Sequence, residues 1–273
     1  MVVQLISGIA LSIIISGIGY RRGALSRSGV AGALVVGILT FGLGGWLWGL
    51  LLAIFFISSS LLSQFRKQEK QVAAEKFDKG HRRDFGQALA NGGVGALISL
   101  LSIVRPSPAW FPFFVGAMAT VNADTWATEL GTLSPRPPRL ITNGQVVAVG
   151  TSGGVSGLGT AVSALGGLLI GLVAGLLQRR EHPRVMALAG LAGGLAGSLF
   201  DSLLGATVQQ IYYCDVCQKD TERRLHKCGN PTRPLRGWTW LNNDLVNLFA
   251  SLAGGLVAFA VWALLRRPLR RMP

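Results

Sequence analysis

Two carboxylates lie in the segment Asn122–Glu129, directly after an apolar run over 110–120. An ionised Asp or Glu at hydrocarbon depth costs roughly 3 kcal/mol or more, so such groups normally face a partner, a cation or a water-filled site. Helical spacing separates Asp124 from Glu129 by about 140° around the axis. They can share one cation only if the helix unwinds; otherwise one binds a cation and the other orients a neighbouring span. The alternative is a polar clamp between helices or a helix end in water. The face of Glu129 also carries Asn122 and Thr125.

Two further aspartates stand in polar motifs within or beside apolar segments. Asp201 belongs to a stripe of glycines at steps of four, and Asp244 is flanked by Asn243 and Asn247. Oxygen ligands of this kind suit Mg²⁺, which typically uses one or two carboxylates together with substrate phosphates. The alternatives are small-residue packing with Asp201 paired to an arginine, and helix capping by the Asn and Asp side chains.

Groups that suit phosphate occur in two more segments. The glycine-rich run 150–159 leads into a helix, a geometry in which free N–H groups attract phosphate. Packing of small residues explains this run equally well. The segment 83–91 leads into the bilayer and aligns three polar side chains on one helical face. The candidates are Arg83, Asp84, Gln87, Asn91, Ser152, Gly153, Gly154 and Ser156.

All three cysteines fall in the loop 210–242, as Cys214 and Cys217 and then Cys228, two residues after His226. Two close pairs of soft ligands match a closed Cys₃His zinc site. The alternatives are reduced thiols and, less favoured on a cytoplasmic face, a disulfide between Cys214 and Cys217. Such a zinc ion would staple the loop without doing chemistry, because no coordination position is left open.

The composition is that of a membrane protein. Half of the 273 residues are hydrophobic and only 14% are charged, which is far more apolar than a soluble domain. The net charge of +14 comes from Lys and Arg concentrated in short loops, so the expected partner is the lipid bilayer and not nucleic acid. The sequence contains no Gly-x-x-x-x-Gly-Lys-Ser/Thr motif, which argues against a soluble-type nucleotide fold.

Stretches of spanning or near-spanning length predict an all-α polytopic bundle of eight, or seven, membrane segments in one integral membrane domain, 1–273. The second stretch is short and is followed by glycines, so it forms either a hairpin with the third or one long kinked helix. The stretches are 2–19, 29–41, 43–63, 85–104, 110–130, 155–177, 185–209 and 243–265.

The eight-segment arrangement gathers 18 Lys and Arg on one side and 8 on the other, so the richer side is expected to be cytoplasmic. The unusual polar motifs all border that side, which predicts one active site there, in a cell or thylakoid-type inner membrane. Most basic residues are expected to be solvated. A few could reach phosphates at the carboxylate cluster; the candidates near the first loop are Arg22 and Arg27, with Ser28 beside them.

Taken together, the motifs resemble the integral membrane family of transmembrane protein 19 and plant phytyl-phosphate kinase. Their order and spacing carry the resemblance through almost the whole chain. They are Leu25-Ser-x-Ser-Gly29, Ser59-Ser60, Arg83-Asp84 with Gln87 and Ala90-Asn-Gly92, Ala123-Asp-Thr-Trp-Ala-Thr-Glu129, Ser152-Gly-Gly-Val-Ser156, Phe200-Asp-Ser-Leu-Leu-Gly-Ala206, the Cys/His loop and Asn242-Asn-Asp-Leu-Val-Asn247.

The resemblance implies transfer of a γ-phosphoryl group from a nucleotide, with CTP expected, to an isoprenyl monophosphate. Mg²⁺ would be held by Asp124, Asp201 and Asp244 with help from Glu129, and the apolar interior would take the prenyl chain. Asparagines would orient these groups, namely Asn91, Asn122 or Asn243. One alternative is a related lipid-alcohol kinase or cytidylyltransferase. Another is a transporter or lipid carrier that uses the carboxylates for ion coupling. The sequence leaves chain length, nucleotide and oligomeric state open.

Overall fold

Eight long helices run through the part of the chain that the computed structural model describes, which is residues 2–70, 82–178 and 182–269. Seven of them are long and apolar enough to cross a membrane, so the predicted polytopic helical fold is confirmed. The helices are α1 Val2–Arg21, α2 Arg27–Leu39, α3 Trp46–Gln64, α4 Phe85–Val104, α5 Trp110–Gly131, α6 Gly157–Leu177, α7 Pro183–Thr207 and α8 Asn243–Leu269.

Helices α2 and α3 form a hairpin. A wider π-helical turn, Thr40–Gly44, follows α2, and Gly45 then reverses the chain with a φ of 95°. Residues just before α2 and near the end of α3 both contact Arg83, so the two helices run antiparallel. The structure therefore selects the hairpin over a single kinked helix.

Helix α5 is the central helix and packs against α3, α4, α6, α7 and α8. Its residues from Phe114 to Ala123 are all buried. It is not among the seven helices apolar enough to span by composition alone, because its second half carries Asp124, Glu129 and several other polar groups. Since protein and not lipid surrounds α5, its polar side chains can face partners and cavities inside the bundle.

Glycines bring the backbones of α5, α6, α7 and α8 close together. A Cβ added at Gly190 would lie 2.5 Å from the Cα of Gly171, and one at Gly197 would lie 2.2 Å from the hydroxyl oxygen of Thr120. The glycine stripe of α7 is thus a packing surface, as the small-residue alternative predicted. The stripe fixes the position of Asp201 relative to α5.

Two small antiparallel sheets lie in loops that the hydropathy pattern leaves featureless. The first pairs β1 Arg139–Leu140 with β2 Gly154–Val155. The second has the order β4-β3-β5 and consists of β3 Ile211–Cys214, β4 Lys219–Thr221 and β5 Arg233–Arg236. Both loops lie at the end of the bundle where α5 and α7 end and α6 and α8 begin.

Candidate functional site

A polar cavity of about 1020 Å³ opens at this end of the bundle. The ends of α3, α5 and α7, the starts of α4, α6 and α8, and the sheet β3-β4-β5 all contribute to its lining. Most of the predicted site residues meet here. They are Asp124, Thr125, Glu129, Asp201, Asp244, Arg83, Gln87, Asn91, Ser152, Gly153, Gly154, Ser156, Asn243 and Asn247.

Asp124 and Asp201 face each other across the interface of α5 and α7. Ser198 of α7 donates a hydrogen bond to Asp124 Oδ1 at 3.4 Å. Asp201 Oδ2 is buried and accepts no hydrogen bond from the described residues. Asp201 is also close enough to Asp124 and Glu222 for electrostatic repulsion. The two aspartates thus form an acidic pair, in which Asp201 Oδ2 is buried without a hydrogen bond from the described residues.

Asp244 lines the same cavity at the start of α8. Within the described residues, however, Asp124, Asp201 and Asp244 do not form a close group of three potential metal ligands. A site of three protein carboxylates around one ion, as the sequence pattern suggested, is therefore not preformed. Of the three, Asp124 and Asp201 interact electrostatically.

Glu129 faces away from this pair, toward α3. Its carboxylate forms an ion pair with Lys70 and accepts a 2.6 Å hydrogen bond from Ser63. Lys70 is only 5% exposed and also donates to the carbonyl oxygen of Leu62 at 2.7 Å. Helix α5 remains helical through this region. The structure therefore favours separate roles for the two carboxylates, in which Asp124 is available to a cation and Glu129 orients a neighbouring span.

Arg83 is fixed at the cavity wall by both its backbone and its side chain. Its N–H donates to Ala24 O and its carbonyl accepts from Ser26 N–H, each at 2.9 Å. Its guanidinium donates to the hydroxyl oxygens of Ser59 and Ser60 at 3.0 and 3.1 Å. Desolvation by burial lowers the pKa of Arg83 to about 10, with Glu129 acting in the opposite direction. The side chain therefore stays cationic at neutral pH.

Several predicted residues lie outside the cavity lining and have local structural contacts. Asp84 caps α4: its carboxylate accepts from Gln87 N–H at 2.9 Å, and the Gln87 side chain accepts in return from Asp84 N–H at 3.0 Å. Asn122 clamps three helices, because its side chain accepts from Ser58 of α3 at 3.0 Å and donates to Gly166 O of α6 at 2.9 Å. The remaining three are exposed: Arg22 directly after α1, and Arg27 and Ser28 at the start of α2.

The glycine-rich loop before α6 forms one wall of the cavity. Gly153 has a φ of 83°, and a Cβ there would lie 2.4 Å from the Cβ of Ala206, so the loop packs directly on the end of α7. Ser156 caps α6 by accepting from Gly159 N–H at 3.1 Å. Ser152 donates to the Gln209 side chain at 2.8 Å. The loop therefore packs against α7 and also lines the cavity.

An apolar crevice between α1, α2, α3 and α4 adjoins the polar cavity. Its free volume is about 60 Å³, and three of its lining residues, Arg83, Gln87 and Asn91, also line the polar cavity. The rest of its wall is mainly aliphatic and aromatic. It includes Ile15, Leu25, Ala33, Val36, Phe41, Leu52, Phe55 and Phe56.

The sheet β3-β4-β5 with its following turns covers the polar cavity, and we call residues 211–236 the roof. Tyr212 and the segment 222–225 of the roof line the cavity, together with Lys227. The roof also contains the Cys/His cluster, whose four potential ligand atoms all lie within 4.8 Å of one another. The structure thus brings together the four residues that the sequence paired by spacing. Hydrogen bonds from Asn230 and His226 lower the pKa of the Cys228 thiol to about 6.

Residues 10–255 of the chain match the family of integral membrane proteins described as DUF92. The chain belongs to this family. The matched region contains the whole lining of the polar cavity, which runs from Ser63 to Asn247. The site is therefore built from the part of the chain that defines DUF92 membership.

Curated relatives of this DUF92 chain include plant and archaeal proteins. Protein PGR of Arabidopsis thaliana is 32% identical over 91% of this chain and 93% of its own length. An uncharacterized membrane protein of Methanocaldococcus jannaschii, MJ0933, is 31% identical over 88% of this chain and 87% of its own length. Protein VTE6, chloroplastic, of A. thaliana is 27% identical over 86% of this chain and 64% of its own length. No solved structure matches the chain.

Sequence reasoning missed several lining residues of this DUF92 site. Ser63 lies at a helix end that contains several serines, and Lys70 lies in a basic loop. Neither residue belongs to a recognisable motif. Ser198 could have been found, because it lies one helical turn before Asp201. Glu222 and Arg223 carried no signal, since the roof sheet was not predicted.

Proposed function

We propose that this protein is a membrane kinase that transfers the γ-phosphoryl group of a nucleoside triphosphate, with CTP as the first candidate, to an isoprenyl monophosphate. The observation that carries the proposal is the junction of the polar cavity with the apolar crevice at Arg83, Gln87 and Asn91. An amphiphile would place its phosphate head in the polar cavity and direct its hydrocarbon tail past the crevice toward the lipid, because about 60 Å³ is too small to enclose a whole prenyl chain. The resemblance of the motifs to the family of plant phytyl-phosphate kinase, together with the similarity to Protein VTE6, supports the same substrate class.

The lining of the cavity suits phosphoryl transfer to an acceptor that needs no activation. A phosphate monoester is already anionic near neutral pH, since its second pKa is about 6, so it requires no general base. The described lining correspondingly contains no histidine. His182 caps the far end of α7, His226 belongs to the Cys/His cluster, and His81 lies outside the described residues.

The difficulty of the reaction is electrostatic, because two highly charged phosphate groups must approach in line. Four basic side chains of the cavity can share this task by binding phosphate oxygens and orienting both substrates. Arg83 is placed to bind the head group of the lipid at the mouth of the crevice, while the roof faces the opposite part of the cavity. The four residues are Arg83, Arg223, Arg224 and Lys227, whereas Lys70 is already paired with Glu129.

The acidic pair fits a divalent cation. Asp124 and Asp201 repel each other, and Asp201 Oδ2 has no hydrogen-bond partner in the described structure, so a cation at this position would satisfy both groups. Mg²⁺ commonly binds through one or two carboxylates and completes its shell with water and phosphate oxygens. When bound, it supplies charge neutralisation for the phosphates. Asp244 would then act on the same substrates from the start of α8.

The proposed orientation places the cavity on the cytoplasmic side. The loops at this end of the helices carry 18 of the 26 Lys and Arg residues, and the positive-inside rule assigns such an end to the cytoplasm. Nucleoside triphosphates would then reach the cavity from the cytoplasm, while the lipid reaches the crevice from the bilayer.

The test uses the purified protein in lipid nanodiscs with phytyl, geranylgeranyl or farnesyl monophosphate, Mg²⁺ and each nucleoside triphosphate in turn. We expect an isoprenyl diphosphate and one equivalent of nucleoside diphosphate, both measured by mass spectrometry. Free prenols and other lipid phosphates serve as parallel acceptors, because consumption of those instead would identify a lipid-alcohol kinase or cytidylyltransferase. Folded protein that forms no diphosphate in any combination would exclude the proposal. Cation-driven flux without nucleotide consumption, measured after reconstitution into proteoliposomes, would instead support a transporter.

A further inference from the structure

The Cys/His cluster has the geometry of a metal site. The Cys214 and Cys228 sulfurs are 3.7 Å apart, and His226 Nδ1 lies 3.1 Å from the Cys228 sulfur. Two sulfurs bound to one tetrahedral zinc ion at about 2.3 Å each would be about 3.8 Å apart. None of the three cysteines is in a disulfide. The spacing therefore fits ligands around one ion better than it fits a covalent bridge, whose sulfurs are about 2.05 Å apart.

Two tight turns present the four ligands in pairs. Cys214 ends β3, and Cys217 lies in the turn to β4, where Gln218 adopts a left-handed φ of 53°. His226 and Cys228 lie in a second turn, which is closed by a 2.9 Å bond from Gly229 N–H to His226 O. The two turns therefore bring the four ligands together within the roof.

The roof is too small to be stable by itself. Its strands have four, three and four residues, and an isolated sheet of this size buries too little apolar surface to fold without a staple. Hydrogen bonds anchor one side of the roof to the bundle. Gln209 donates to Glu222 at 2.9 Å, and Arg236 donates to Gly205 O at 2.8 Å. The Cys/His cluster lies at the other end of the sheet, where Cys214 pairs with Lys219.

The basic residues of the roof lie between these two supports. Arg223, Arg224 and Lys227 line the polar cavity, and they are close in sequence to His226 and Cys228. Arg224 also donates to the Tyr212 hydroxyl at 3.0 Å, which ties this segment back to β3. Loss of the staple would therefore release the segment that covers the cavity.

We propose that Cys214, Cys217, His226 and Cys228 bind one structural Zn²⁺ ion, and that this ion holds the roof so that Arg223, Arg224 and Lys227 face the phosphate groups of the nucleotide. All four coordination positions are filled by protein, so the ion does not react with substrate. The zinc site stands independently of any enzymatic activity. The role of the roof in nucleotide binding rests on the proposed kinase function.

The zinc site is tested by metal analysis of the purified full-length protein. We expect one zinc per chain in the wild type and less than one tenth of that in His226→Asn and in the Cys217→Ser, Cys228→Ser double variant. His182→Asn, at the far end of the bundle, is the matched control and should retain full zinc. Folded wild-type protein without zinc after expression in zinc-containing medium, or full zinc in His226→Asn, would overturn the site.

The role of the roof is tested by two further measurements on the same proteins. Limited trypsin digestion should cleave after Arg223, Arg224 or Lys227 at least tenfold faster in the zinc-free variants, because the roof has lost its staple. Binding of a non-hydrolysable CTP analogue with Mg²⁺ should weaken at least tenfold. Unchanged digestion and unchanged binding would overturn the structural role while leaving the metal site intact. If no variant and no wild-type protein binds the analogue, the kinase proposal fails, but the zinc and digestion results still decide the staple.

Discussion

Gly29 contacts the backbone of Arg83 so closely that a Cβ at residue 29 would lie 1.9 Å from the Arg83 carbonyl oxygen. The contact joins the first turn of α2 to the residue that separates the apolar crevice from the polar cavity. Ser26 strengthens it by capping α2 through Gly29 N–H at 3.0 Å and by donating its own N–H to Arg83 O. The motif Ser26-Arg-Ser-Gly29 thus places Arg83, and its exposed members do not themselves line the cavity.

Replacement of Gly29 by alanine should displace Arg83 and destabilise the protein. A Cβ at this position meets rigid backbone, and overpacking of this kind costs about 1–3 kcal/mol. We expect a lower thermal unfolding midpoint in detergent and a raised KM for the isoprenyl monophosphate. Gly17→Ala is the matched control, because a Cβ there meets nothing within 4 Å. Equal behaviour of the two variants would contradict the proposed contact.

The helices could be predicted from the sequence because long apolar runs end at charged or glycine-rich loops. Helix α4 has the predicted bounds, 85–104, and the others differ by a few residues. The two sheets could not be predicted, since strands of two to four residues have no measurable periodicity.

The candidate site could be predicted only in part. Motifs that contain their own carboxylates identified four of the acidic residues that line the cavity, namely Asp124, Glu129, Asp201 and Asp244. The partners of those groups could not be read from a single sequence, because they are distant along the chain: Lys70 is 59 residues from Glu129. Asn122 was predicted as a site residue because it belongs to the same motif as Asp124. In the structure its side chain instead joins α3 and α6 to α5.

Arg83→Lys should impair binding of the lipid phosphate although the positive charge is kept. A lysine cannot reproduce the two-pronged contact with Ser59 and Ser60, and the loss of a hydrogen bond to a charged group costs about 1.5–3 kcal/mol. This corresponds to a decrease in kcat/KM of roughly 10- to 100-fold. The neighbouring exposed Arg82→Lys should retain wild-type kinetics. Wild-type kcat/KM in Arg83→Lys would show that the guanidinium is not required at the junction.

Asp124→Asn and Asp201→Asn should each reduce kcat by about 10²–10³-fold or more, because each removes one carboxylate of the acidic pair. Neither should lower the thermal stability, since the substitutions also remove the repulsion between the pair. The exposed Glu69→Gln is the control for loss of a carboxylate outside the cavity. Steady-state kinetics over a range of Mg²⁺ concentrations measure the effect. Full activity in both variants would eliminate the proposed cation position.

Glu129→Gln should act mainly through stability. It leaves the buried ammonium of Lys70 without its carboxylate, and breaking a buried ion pair from one side costs about 3–5 kcal/mol. Lys70→Met should be similarly destabilising, and the double variant should recover much of the loss because no buried charge remains unpaired. Unfolding midpoints of the four proteins form a double-mutant cycle. Strictly additive effects would show that the pair does not stabilise the protein.

Ala33→Leu should change the chain-length preference without affecting the nucleotide. Ala33 lines the apolar crevice, whose free volume is only about 60 Å³, so three added carbons narrow the space for a hydrocarbon tail. We expect the ratio of kcat/KM for farnesyl over geranylgeranyl monophosphate to rise about tenfold, which corresponds to roughly 1.4 kcal/mol, while the KM for CTP stays constant. Ala31→Leu is the matched control, because Ala31 is exposed on the same helix and does not line the crevice. A variant whose KM for both lipids and for CTP increases together would indicate general misfolding. An unchanged ratio in a folded Ala33→Leu enzyme would show that the tail binds elsewhere.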